Sequence, residues 1–293
     1  MKPKKKIFKK ILKRVNNKVL VFGCSGTVGL DFINVNKNKN ILYYSRKKPK
    51  IIQKKLWRHV DLNKKITGIP NKVDKIFFFA SPQYKLKNLK KKIFLKELSW
   101  LKKIRKKIKA RVFIYLSSSS VYLNNHPVGS AKLTCENYLI KNTKNNYLQI
   151  WRPYNLVGNE NLNLSDHFHN ILIKKFCVER KKNHHFKGSA DDERGYSSTT
   201  KFCKLLINKS NLNQNFVYDY GNSRKIKVKQ IAEIFKKVFE KNIKKKIKYT
   251  FNSNVKNTNI IKSNENVISF DTKENSHNNI KKYYLSKIKL YEK

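Results

Sequence analysis

The segment VLVFGCSGTVG, Val19 to Gly29, constrains this chain more than any other. An apolar run long enough for one strand ends at Gly23, and Gly26 and Gly29 follow at intervals of three before helix-compatible sequence begins. Glycine at such points lets the backbone turn sharply and lets other main chain or an anion come close, while the first amides of the following helix carry partial positive charge. A strand entering and a helix leaving this turn is the start of a βαβ unit. Such units build parallel sheets covered by helices on both faces.

Much of the chain keeps that rhythm. NILYYS, LWRHV from Leu56, KIFFFA from Lys75, VFIYLS from Val112 and YLQIW from Tyr147 are short apolar runs, as expected of strands buried on both faces. Asn88 to Ala110 reads as a long helix, with Leu89, Ile93, Leu98, Leu101, Ile104 and Ile108 tracing one face. After Trp151 the rhythm loosens into a helix from about Leu164 to Arg180, a strand HHF, a helix near Thr200 to Asn208, a strand FVYDY, a helix from Val228 to Glu240 and a strand IKYTF. Asn252 to Asn279 is polar and is expected as loop. These patterns predict an α/β fold, a doubly wound parallel sheet of Rossmann-like type with a small C-terminal α/β lobe. Its expected parts are a basic arm over residues 1–17, a dinucleotide-binding domain over 18–160 and a substrate lobe over 161–293 interleaved with the sheet edge.

The formal charge of +50 spreads lysine through every segment, which reads first as a solvated surface and otherwise as attraction to nucleic acid, anionic lipid or phosphorylated substrates. Either origin implies non-specific polyanion binding at low salt. In KPKKKIFKKILKRV, Ile7, Phe8, Ile11, Leu12 and Val15 recur at helical spacing among lysines. That segment fits an arm beside the first strand or a helix in peripheral contact with an anionic membrane. Cys24, Cys135, Cys177 and Cys203 are too scattered for a disulfide framework or zinc site, and a reducing cytoplasm suits them. No run of about 18 apolar residues is present to span a bilayer. Asp166, His167 and His169, like His184 and His185, lack a further ligand at metal-binding spacing, so no metal is expected.

Several ordered motifs resemble the extended short-chain dehydrogenase/reductases, the NAD-dependent epimerase/dehydratase family acting on nucleotide sugars. They are GCSGTVG; Asp61-Leu62 after the third strand; FFFAS, Phe77 to Ser81; SSSSVY; GSAKLTCE; and RPYNLVG, with the likeness running from about Lys18 to Glu240. The resemblance implies cofactor contacts from Gly23, Ser25, Gly26, Thr27, Val28, Gly29, Asp61, Leu62, Phe79, Ala80 and Lys132. It also implies that Asn155 lies near the phosphates of a nucleoside-diphosphate sugar, and that Arg194, in KGSADDERGYS with Gly188, grips the diphosphate. NAD-binding sites usually offer an acid about twenty residues past the first glycine. Here YYSRKK places Ser45 there, with Arg46 and Lys47 beside it. Hydroxyl and cations favour the 2'-phosphate of NADP, with NAD the alternative.

In the resembling family a serine holds the reacting oxygen and a tyrosine passes the proton, its pKa lowered by a lysine one helical turn on. The serine falls on Ser118 and the lysine on Lys132, but the tyrosine position is Val128. Valine has no proton to give, and loss of general acid-base catalysis costs about 10²- to 10⁴-fold in rate. Tyr122 and His126 are the candidate substitutes. Two readings stay open. One is an oxidoreductase or epimerase of surface-polysaccharide synthesis with weakened catalysis, often dimeric in the family through two helices, here Asn88 to Ala110 and Gly129 to Asn142. The other is a non-catalytic NADP-binding protein whose basic surface engages RNA or an acidic partner.

Overall fold

Strand β1 (Val19–Phe22) is buried along its whole length, so its alternating side chains enter two separate interiors. Val19 and Val21 join one core with Phe32 of helix α1 (Thr27–Val35), whereas Leu20 and Phe22 join the other. The same division runs across the sheet in this computed structural model, which describes residues 18–82, 91–123, 126–158, 167–252 and 268–291. The sheet continues through β2 (Ile41–Ser45), β3 (Trp57–His59), β4 (Lys72–Phe78), β5 (Lys109–Leu116), β6 (Tyr147–Pro153), β7 (Phe216–Gly221) and β8 (Ile268–Asp271). All of its pairings are parallel, in the order β8-β7-β6-β5-β4-β1-β2-β3.

Helices α2 (Lys91–Lys107) and α3 (Pro127–Lys141) cover one face, where Leu101 and Ile104 meet Phe78, Phe113 and Tyr115. On the other face α1 packs beside α5 (Thr199–Lys209), whose Phe202 and Leu206 lie with Phe77 and Trp151. Between them in the chain is α4 (Phe168–Ile173), continued by a π-helical turn over Lys174–Val178. This α4 segment, α6 (Val228–Ile243) and α7 (Ser276–Ile288) enclose a third core around Phe176, Phe186, Phe235 and Tyr284. That lobe includes the parallel pair Asn183–Phe186 and Lys248–Phe251. The chain therefore has the expected doubly wound fold, with two strands returning to the main sheet after residue 160.

Two boundaries depart from expectation. The helix expected to reach Ala110 stops at Lys107, because Lys109 already pairs with Lys72 in the sheet. Asn252 to Asn279 is not loop throughout: β8 flanks β7, and α7 begins at Ser276 with the Asn275 side chain accepting from the Asn278 amide at 3.0 Å. Strand β8 is four residues long at the sheet edge, too short and exposed to print a period. The basic arm, Leu89 and Asp166 lie outside the described residues. Strands β1 and β4 are neighbours whose onward connections run to opposite edges, and this switch point opens a crevice at their C-terminal ends.

Candidate functional site

The crevice floor is main chain against main chain. Gly23 has φ +83°, and a Cβ there would stand 2.6 Å from Ala80 Cα and 2.7 Å from the Phe79 carbonyl carbon. A Cβ on Gly29 would meet the Gly23 carbonyl oxygen at 2.6 Å, so the first turn of α1 sits directly on the loop. Ser25 and Gly26 are exposed and Thr27 partly so, while Val28 and Gly29 are buried. Gly26 is the N-cap of α1 and has no side chain to cap the helix's leading amides. The cradle and those amides fit a dinucleotide pyrophosphate.

Ser45 does not present a free hydroxyl. Its Oγ accepts from Cys24 Sγ at 3.2 Å and from Trp57 Nε1 at 3.0 Å, and donates to the Lys47 carbonyl at 2.6 Å. The Ser45 side chain thus ties three segments together. Arg46 and Lys47 stand exposed beside it. At the end of β3, the Asp61 carboxylate accepts from the Asn63 amide at 3.0 Å, a bond that, with the nearby Arg46 charge, holds its pKa below the usual carboxylate value. Leu62 is buried beneath it.

Ser118 caps a short 3-10 turn, Ser119–Tyr122, accepting from the Ser120 amide at 3.2 Å and the Ser120 hydroxyl at 3.0 Å. Helix α3 opens with Pro127, so Val128 lies in its first turn and Lys132 one turn on, on the same face. The two side chains expected to stand in for a phenol at position 128 are otherwise engaged. His126 is the N-cap of α3: its Nδ1 accepts from the Gly129 amide at 3.3 Å, and burial lowers its pKa. Tyr122 is buried, accepts from Arg152 Nη1 at 2.6 Å and donates to both Asp219 carboxylate oxygens at 2.9 Å. Burial pushes its phenol up to about 12, the opposite of the shift an acid working near neutrality needs. Burial likewise raises the Asp219 carboxyl.

This chain of contacts continues. Arg152 forks onto Glu136 through Nε at 3.0 Å and Nη2 at 2.5 Å, and Ser117 donates to the same carboxylate. Lys132 is paired too: its Nζ lies 2.7 Å from Glu97 Oε1 and donates to the Leu116 carbonyl at 3.0 Å. Sequence reasoning missed Glu97, Glu136 and Asp219. Glu97 left a signal, since it falls four residues after Ile93 and four before Leu101 on the apolar stripe of α2.

On the lobe side, Asn155 Nδ2 donates to the Gly195 carbonyl at 3.3 Å, and the Ser197 amide donates to the Asn155 carbonyl at 3.0 Å. The structure thus brings Asn155 beside the strand Glu193–Arg194 that carries the second diphosphate candidate. Among the described residues, nothing lies within 4 Å of where a Cβ on Gly188 would be. Asp191 is bound by Lys227 and Lys229 at 3.3 and 3.2 Å, a turn clasp. The four cysteines are free and buried. Among the described residues no His, Cys, Asp or Glu cluster is arranged to hold a metal, and no helix is long and apolar enough to cross a membrane.

No protein-family model matches the sequence, and comparison with curated protein sequences finds no match. Solved structures do match. A UDP-galactose 4-epimerase superposes with a TM-score of 0.71 at 17% identity, over 93% of this chain and 99% of that one. The UDP-glucose-4-epimerase of Stenotrophomonas maltophila with bound NAD and formylated UDP-arabinopyranose gives 0.67 at 11% identity, over 94% and 100%. RMD from Pseudomonas aeruginosa complexed with NADPH gives 0.63 at 13% identity, over 92% and 99%. At these identities the likeness is one of fold, and it spans the lobe as well as the sheet.

Proposed function

We propose that this chain binds NAD(P) over the contact of Gly23 with Ala80, at the C-terminal ends of β1 and β4, and a nucleoside-diphosphate sugar beside Ser118, Asn155 and Arg194. It acts as an NADP(NAD)-dependent nucleotide-sugar oxidoreductase- or epimerase-like protein with weakened proton transfer. The observation that carries this reading is the glycine cradle: the turn after β1 rests on the segment after β4, under a helix start whose N-cap is a glycine without a capping side chain. The fold neighbours that hold NAD, NADPH or a UDP sugar support it. NADP preference rests on Arg46 and Lys47, because the Ser45 hydroxyl is already committed. A place in surface-polysaccharide synthesis follows from the family resemblance alone.

Nicotinamide-fluorescence titration with NADPH and NADH, then calorimetry of UDP-glucose added to the binary complex, tests the reading. Both cofactors are expected to bind, NADPH more tightly, and the sugar nucleotide is expected to bind the complex. Failure of both dinucleotides to bind overturns it. Val128 favours a second reading, a cofactor-holding protein without turnover. Cofactor and sugar binding with no detectable turnover, together with retention of a specific RNA at physiological salt, would select that one.

A further inference from the structure

Glu97 is fully buried on α2, yet three donors reach its carboxylate. Lys132 Nζ lies 2.7 Å from Oε1, the Tyr115 hydroxyl donates to Oε1 at 2.8 Å, and the Ser81 hydroxyl donates to Oε2 at 2.9 Å. These donors come from three functional segments: the helix of the lysine, strand β5, and the stretch after β4 that passes the cofactor crevice. Lys132 is buried as well, its ammonium 5.1 Å from the Tyr115 ring centroid. Breaking such a pair from one side leaves an uncompensated buried charge, so the two are held together in the fold.

An isolated ammonium one helical turn from position 128 would act there as a point charge. Paired with a carboxylate at 2.7 Å it acts as a dipole, whose field falls off faster with distance. Val128 offers nothing for that charge to activate. We propose that Glu97 is a positioning residue that captures Lys132 in a buried ion pair, withholding the lysine's charge from position 128. The lost phenol and the captured lysine are then two halves of one departure from proton-transfer chemistry. The functional meaning rests on the cofactor-binding reading, but the test needs no ligand and so fails or succeeds independently of it.

The test places a reporter phenol at the site. In Val128→Tyr, NMR titration of ring-labelled tyrosine gives the pKa of the new residue, and the same titration is run on Val128→Tyr/Glu97→Gln. With Lys132 released, the phenol pKa is expected to fall by about one unit or more, as it does beside an unshielded cation. An equal pKa in the two proteins overturns the proposal. Should Glu97→Gln fail to fold, Val128→Tyr/Glu97→Gln/Lys132→Met replaces the pair with neutral groups. The phenol pKa is then expected to match that of Val128→Tyr alone, whereas a rise of about one unit or more would show that the lysine charge reaches position 128 and overturn the proposal.

Discussion

Gly129 and Ser120 touch main chain to main chain: a Cβ on Gly129 would lie 2.7 Å from the Ser120 carbonyl carbon and closer still to its oxygen. This contact seats the serine turn on the first turn of α3 and so sets Ser118 relative to Lys132. Gly129→Ala must push the two apart. It is expected to cost about 1–3 kcal/mol, the range for overpacking a filled site. Urea denaturation checks this, and an unchanged midpoint with an unchanged slope would contradict the seating.

Arg46→Ala is expected to weaken NADPH binding roughly tenfold or more while leaving NADH within about twofold, since one charge-assisted hydrogen bond contributes about 1.5–3 kcal/mol. Paired fluorescence titrations of wild type and variant read the ratio. Equal losses for both cofactors would place Arg46 away from the 2'-phosphate.

Tyr122→Phe removes the hydroxyl between Arg152 and Asp219 and leaves a buried carboxylate short of a donor. The expected loss is about 1–3 kcal/mol of stability, with any turnover unchanged per folded molecule. Abolished turnover at full stability would instead make Tyr122 the proton donor.

His126 makes the start of α3 pH-sensitive. Burial lowers its pKa below 6.5, so the unfolded chain takes up the proton first as pH falls, and a doubly protonated ring cannot accept from the Gly129 amide. The stabilisation is present above about 6.5, is lost as pH drops from there toward the lowered value, and amounts to about 1 kcal/mol for an N-cap. His126→Asn keeps an acceptor that does not titrate. Melting curves across this range are expected to diverge for the two proteins as pH falls, with the variant holding its midpoint better.

Some of this architecture is written locally. The strands at NILYYS and YLQIW, the stripe of Leu98, Leu101, Ile104 and Ile108, and the glycines of the first turn each repeat a period or supply a conformation within a few residues. Strand β8 and helix α7 escaped notice because ISFD is four residues at an exposed edge, and because the buried Ile280, Tyr283, Tyr284 and Ile288 are diluted by asparagine and lysine.

By itself, the sequence determined the parallel, doubly wound sheet, the crevice after β1 and the absence of a phenol at position 128, because strand length, helical period and residue identity are properties of neighbouring positions. Tertiary structure alone decided what the polar side chains do. Ser45 reads as a ribose contact until Cys24 and Trp57 occupy its hydroxyl; Tyr122 reads as a spare acid until Asp219, 97 residues away, accepts its hydrogen bond. Lys132 reads as a free cation until Glu97, 35 positions earlier, closes on it at 2.7 Å. Such pairings are set by how helices cross a sheet and which groups lose water together. A buried charge takes the partner that packing brings within reach, and no local pattern records which one that is.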